Sequence, residues 1–141
     1  MVSFSDLGVS RELVRALANQ GIDRPFEVQT ESIPDGILGN DLCCRAPTGS
    51  GKTLAFGLPL IERTRPAEPG FPTSLILTPT RELAEQIFQV LDPLSRELGL
   101  FTYAVYGGVS YTKHFRALER GFDILVACPG RLIDLLERVS I

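Results

Sequence analysis

The chain has little of what several function classes require. Its 141 residues include three cysteines, one histidine, one methionine and no tryptophan. Three cysteines, two of them adjacent at Cys43 and Cys44, make neither a disulfide framework nor a zinc spacing. They read as small buried hydrophobes in a reducing compartment. The single histidine, His114 in Tyr111-Thr-Lys-His-Phe115, has no acidic or cysteine partner at metal-ligating spacing and reads as a solvated helix position. No apolar run approaches the ~20 residues of a membrane span, and the start Met1-Val-Ser-Phe-Ser-Asp6 carries neither a basic nor an apolar stretch of secretory type. A cytoplasmic chain with no membrane partner is expected. Positive charge is not in excess either: fourteen Lys and Arg stand against seventeen Asp and Glu, a net charge of −3. Residues 1–70 and 71–141 are each slightly acidic, so any phosphate binding must come from locally placed groups and not from an overall field.

What is present is a globular composition, 44% hydrophobic and 22% charged, at the length of one ordinary domain. Four β-rich runs recur: Leu42-Cys-Cys-Arg-Ala46, Ser74-Leu-Ile-Leu-Thr78, residues 101–106, and Asp123-Ile-Leu-Val-Ala127. They are nearly continuous apolar runs, the pattern of strands covered on both faces. Between them lie segments of helical spacing, the clearest at Leu83, Ile87, Leu91, Leu94 and Leu98, with Thr80 placed as an N-cap. Pro93 inside that segment predicts a kink, or a second helix capped by Asp92. Further helices are expected over 11–19, 27–38 and 129–137. Alternating strands and helices predict an α/β fold with a mainly parallel sheet flanked by helices on both faces. Arg65-Pro-Ala-Glu-Pro-Gly-Phe-Pro72 reads as a surface loop.

Ala46-Pro-Thr-Gly-Ser-Gly-Lys-Thr53 follows the first of these runs and opens a helix. It fits the phosphate-loop pattern, with Ala46 where the first glycine stands. Gly49 and Gly51 allow the loop Ala46, Pro47, Thr48, Gly49, Ser50 and Gly51 to turn the N–H groups of its non-proline residues toward one anion, and the helix N-terminus adds its dipole. Lys52 supplies a charge for the β- and γ-phosphates, and the Thr53 hydroxyl a ligand for Mg²⁺. The implied ligand is a nucleoside triphosphate.

Several other motifs stand in the order used by the DEAD-box family of ATP-dependent RNA helicases, which the chain resembles over essentially its whole length. The phosphate loop resembles that family's motif I. Gly21-Ile-Asp-Arg-Pro-Phe-Glu-Val-Gln29 resembles its adenine-reading Q motif, with Phe4 at the upstream aromatic position. Pro79-Thr-Arg-Glu-Leu-Ala84 resembles motif Ia, Gly107-Gly108 the GG motif, and Cys128-Pro-Gly-Arg131 motif Ib. The resemblance implies a RecA-like domain, incomplete at its C-terminus, over 41–141, with a helical Q-motif region over 1–40 packed on it as one structural unit. It implies ATP and Mg²⁺ as ligands, with Gln29 bonding the adenine edge at N6 and N7, Phe4 stacking on the base, and Lys52 and Thr53 serving catalysis. It implies RNA as partner, held through its backbone without base reading by Pro79, Thr80, Arg81, Gly107, Gly108, Cys128, Pro129, Gly130 and Arg131. The residues alone also allow blander roles: Thr80 as a helix cap, Gly107-Gly108 as a turn, Arg131 paired with Asp134.

The chain departs from the family pattern at Phe26, where Thr or Ser is usual, and at Cys128, where Thr is usual. The family's Asp-Glu-Ala-Asp stretch is expected beyond Ile141, and a second RecA-like domain beyond that. Phosphoryl transfer depends on positioning and charge stabilisation, so these 141 residues alone are expected to hydrolyse little ATP. The motifs taken singly leave two alternatives, another P-loop enzyme such as a small-molecule kinase or GTPase, or a non-catalytic nucleotide-binding fragment.

Overall fold

A computed structural model describes residues 2–47 and 51–138. The chain falls into two compact units, Met1–Arg63 and Thr64–Ile141.

In the first unit a 3₁₀ turn, Ser5–Leu7, precedes α1 (Arg11–Asn19), α2 (Glu27–Ile37) and α3 (Lys52–Arg63). α1 buries Leu13, Ala16 and Leu17, the i, i+3, i+4 stripe of an amphipathic helix. Ser10 precedes it, and its N–H donates to Glu62 Oε1 on α3 at 2.8 Å. α2 packs on α3 at close range: a Cβ added at Gly36 would sit 2.8 Å from the ring carbons of Pro59. Only glycine permits that approach. At the end of α2, Arg63 Nη1 donates to the Ile37 carbonyl at 3.2 Å, satisfying one of the helix's terminal acceptors.

The expected strand over 42–46 does not form. Residues 41–45 are exposed, with Leu42 at 45%, and no strand among the described residues pairs with them. An apolar run becomes a strand only when a neighbour takes its backbone hydrogen bonds, and composition does not supply that neighbour. Cys43 and Cys44 are consequently exposed and not buried as expected, while Cys128 is half-buried.

The second unit holds three parallel strands, β1 (Ser74–Leu77), β2 (Thr102–Val105) and β3 (Ile124–Ala127), in the order β1-β3-β2. The connections are α4 (Arg81–Glu97) between β1 and β2 and α5 (Tyr111–Arg120) between β2 and β3; α6 (Pro129–Arg138) follows β3. β3 is central, and its four residues are all buried, which accounts for its unbroken Ile-Leu-Val-Ala sequence. In register, Ser74 and Thr102 face Ile124, and Leu77 and Val105 face Ala127. α4 covers the face bearing Thr102, whose Oγ1 lies 2.9 Å from Ser95 Oγ. The opposite face, with Val105, Leu125 and Ala127, packs against Ala117 of α5 and Leu135 of α6. The sheet is thus parallel with helices on both faces, as the alternation predicts. Asp123, buried before β3, ties two loops to the sheet: its carboxylate accepts from Ala67 N–H at 2.7 Å and Phe101 N–H at 2.8 Å.

α4 is a single helix through Pro93, so the alternative of a second helix capped by Asp92 does not hold. Pro93 and Gln89, whose carbonyl loses its partner, both lie on the exposed face, where water can serve that oxygen. Burial of Leu91 and Leu94 holds the rest. The buried stripe is Ala84, Ile87, Leu91 and Leu94, whereas Leu83 is 39% exposed. No described helix is long and apolar enough to cross a membrane.

Candidate functional site

The first unit brings the Gln29 region and the end of the phosphate loop together. Gln29 is 2% exposed on the first turn of α2. Its Oε1 accepts from the Phe26 N–H at 2.8 Å, the half of a capping box that a phenylalanine N-cap permits. Its Nε2 donates to the Gly51 carbonyl at 3.1 Å. Each end of the amide keeps one further bond, one N–H and one lone pair. Gly51 has φ +85°, and a Cβ there would collide with the Gln29 amide and the Phe26 ring. α3 starts immediately after it, leaving Lys52 exposed and Thr53 half-buried in its first turn. Thr48, Gly49 and Ser50 lie outside the described residues; Ala46 is half-buried and Pro47 exposed.

Beside this turn opens a groove of about 500 Å³ lined by Ile22, Asp23, Arg24, Phe26, Gln29 and Gly51. Phe4 is not on it as a free ring. It is 1% exposed, a core side chain beside buried Leu7 and Val9 in the sequence, and no face of it is open to a base. The aromatic ring that opens on the groove is Phe26, 56% exposed, at the position where Thr or Ser is usual in the pattern it resembles.

In the second unit, parallel strands place their C-terminal loops along one edge of the sheet. Pro79-Thr80-Arg81 follows β1, Gly107-Gly108 follows β2, and Cys128 to Arg131 follows β3. The three segments meet there. Thr78 N–H donates to the Ala127 carbonyl at 3.0 Å, and Cys128 N–H to the Val105 carbonyl at 2.9 Å. Arg81 lies over the Tyr106 ring at 5.9 Å and against Gly108, whose φ of +89° is one that residues with a side chain rarely adopt. The Tyr106 hydroxyl donates to Glu85 Oε2 at 2.9 Å, and that bond chiefly raises its pKa. Thr80 does cap α4, its Oγ1 accepting from Leu83 N–H at 3.2 Å. Burial, and after it the nearby Glu82, raises the Cys128 thiol's pKa, so the group stays protonated.

Arg131 is not paired with Asp134. Its Nη1 donates to the Val109 carbonyl at 2.6 Å, and its guanidinium lies 4.2 Å from the Tyr111 ring centre. Asp134 instead accepts from the Tyr111 hydroxyl and from Arg138 at 3.5 Å. His114 is 1% exposed and not solvated. It sits on the buried side of α5 with Ala117, an i, i+3 pairing that could have placed it inward. No cluster of three potential metal-ligating side chains occurs among the described residues.

The family model for DEAD/DEAH box helicases matches residues 26–141. The chain is 46% identical over 136 residues to the RNA helicase CrhR of Synechocystis, covering 96% of the chain and 27% of that protein. It is 42% identical over 137 residues to the ATP-dependent RNA helicase DeaD of Escherichia coli, covering 22% of it. Among solved structures, the RNA helicase Prp28 of Chaetomium thermophilum bound to ADP superposes with TM-score 0.86 at 39% identity, over 98% of this chain and 35% of that one. A hypothetical ATP-dependent RNA helicase from Sulfolobus tokodaii gives TM-score 0.82 at 36% identity, over 94% and 38%. The chain thus spans about a quarter of the length of the curated relatives it matches. A match over most of the chain, five motifs in family order and a parallel sheet carrying three of them at one edge lead to one conclusion: this chain belongs to the DEAD/DEAH box helicase family.

Proposed function

We propose that the chain binds ATP through its first unit and the RNA backbone through its second, as part of an ATP-dependent RNA helicase. The observation that carries the nucleotide half is the Gln29 amide, which joins the Phe26 N–H and the Gly51 carbonyl and so makes the base-reading segment and the phosphate loop one device. The remaining N–H and lone pair of that amide match the N7 acceptor and N6 donor of adenine, and a fixed amide mismatches guanine at O6. The Phe26 ring offers the base an apolar face in place of Phe4. The left-handed Gly51 and the exposed first turn of α3 suit a triphosphate, and exposed Lys52 would serve the β- and γ-phosphates. The Thr53 hydroxyl is the group that would ligate Mg²⁺, whose charge offsets that of the phosphates.

The RNA half rests on the sheet edge. Arg81 and Arg131, the Thr80 hydroxyl and the closely packed Gly108 offer donors to phosphates and none in a geometry that selects a base. Acidic groups for hydrolysis and a second RecA-like domain are assigned to the longer protein. The test is ATP turnover by the full-length protein with and without single-stranded RNA. Stimulation by RNA, lost in Arg81→Ala and Arg131→Ala, is expected; turnover indifferent to RNA would refute the reading.

A further inference from the structure

His114 and Arg131 make a contact that the RNA reading does not by itself require. His114 is 1% exposed, and its Nδ1 lies 3.4 Å from Arg131 Nη1. Its Nε2 is buried with no hydrogen-bond partner among the described residues. The groups around the imidazole are few. From β2, the Tyr103 ring stands edge-on at 5.9 Å and 88°. From α6 comes Arg131, and from its own helix Lys113, both cations whose fields act on it. On α6 the Asp134 carboxylate is taken by Tyr111 and Arg138.

The chemistry fixes the tautomer. A guanidinium has only donors and stays charged, so Nδ1 facing it must accept, and the proton sits on Nε2. That leaves a buried N–H with no acceptor among the described residues, an arrangement stable proteins rarely keep without reason. Leucine would fill similar space without that cost. What the imidazole adds is the Nδ1 lone pair, and Arg131 is the group that meets it.

We propose that His114 is a positioning residue for Arg131: its neutral Nδ1, with the Val109 carbonyl and the Tyr111 ring, holds the guanidinium at the sheet edge, and protonation of the imidazole releases it. The proposal rests on the RNA reading of Arg131. Burial first, then Arg131 and Lys113, push the His114 pKa below 6.5. A proton on Nδ1 would set two cations against each other at a buried position. RNA affinity should therefore fall as the pH drops below neutrality. An exposed histidine beside a phosphate gives the opposite trend, because its charge strengthens binding.

The chain has one histidine, so its ring ¹⁵N signals need no assignment. The experiment pairs a ¹⁵N titration of that ring with fluorescence anisotropy of a labelled oligoadenylate RNA bound to the 141-residue chain, at constant ionic strength. His114→Gln keeps an acceptor and cannot titrate; it should bind like the parent at neutral pH and show a flat acid profile. His114→Leu should lose affinity several-fold at every pH with its thermal melting retained. Arg131→Ala should move the imidazole pKa up toward 6.5. The proposal is overturned if His114→Leu binds like the parent, if parent and His114→Gln share one pH profile, or if Arg131→Ala leaves the ring titration unchanged. Arg131→Ala binding RNA like the parent overturns the RNA reading instead, and the ¹⁵N titration separates that result from failure of the His–Arg pair.

Discussion

Replacing Gln29 by alanine should damage folding and base selection together. The side chain is 2% exposed and makes two hydrogen bonds, accepting from Phe26 N–H at 2.8 Å and donating to the Gly51 carbonyl at 3.1 Å. Each such bond contributes about 1 kcal/mol net, and the truncation also leaves a small void, so a loss of about 2–3 kcal/mol is expected. Urea denaturation measures it. Bidentate amide recognition of adenine is worth about 1–3 kcal/mol of discrimination, or about 5- to 150-fold preference for ATP over GTP. Competition calorimetry should find that preference in the parent and not in the variant. Gln29→Glu sharpens the test, because it preserves shape and the acceptor for Phe26 but turns a carboxylate oxygen toward the Gly51 carbonyl. It should lose selectivity as alanine does. If Gln29→Ala keeps both its stability and its ATP preference, the amide is not the link between the two motifs.

Three other perturbations have defined outcomes. Asp123→Ala removes two charge-assisted bonds from a buried carboxylate, at 2.7 and 2.8 Å, and should cost about 3 kcal/mol or more in urea denaturation. Thr80→Ala should lose about 1 kcal/mol through its helix cap, while Thr80→Ser, which keeps the oxygen, should lose less; the same denaturation series compares them. Because the fold disfavours the charged form of His114, the unfolded chain binds more protons just below pH 6.5. Stability is then full above that pH and declines as the pH falls toward the lowered value, a decline that thermal melting should show in the parent and not in His114→Gln.

Much of this was legible in the sequence because the signals were local. Periodicity placed α1 on 11–19 as found, and the runs at 74–78, 101–106 and 123–127 became β1, β2 and β3 with a residue trimmed at one or both ends. Residue types at fixed offsets located the loops that meet at the sheet edge, since parallel strands must put those loops on one side. The failures depended on partners that sequence spacing does not display. Leu42 to Ala46 has strand composition and no paired neighbour among the described residues. Phe4 reads as an aromatic near a nucleotide motif, yet the apolar turn around it draws it into the core. His114 reads as a solvated helix position for want of metal-ligating partners, whereas its helical phase with Ala117 turns it inward. Pro93 predicts a kink or a second helix, yet one helix runs through it, with Gln89 on the exposed face where water can serve the freed carbonyl.

The central claim is that the turn at Gly51 and the first residues of α3 hold the phosphates of a purine nucleotide. Calorimetric titration of MgATP into the chain and into Lys52→Ala tests it most directly. The account predicts saturable one-to-one binding to the parent and at least a tenfold loss in the variant, about 1.4 kcal/mol, with unchanged thermal melting. Equal affinity in the two proteins, or no binding by folded parent, would contradict it.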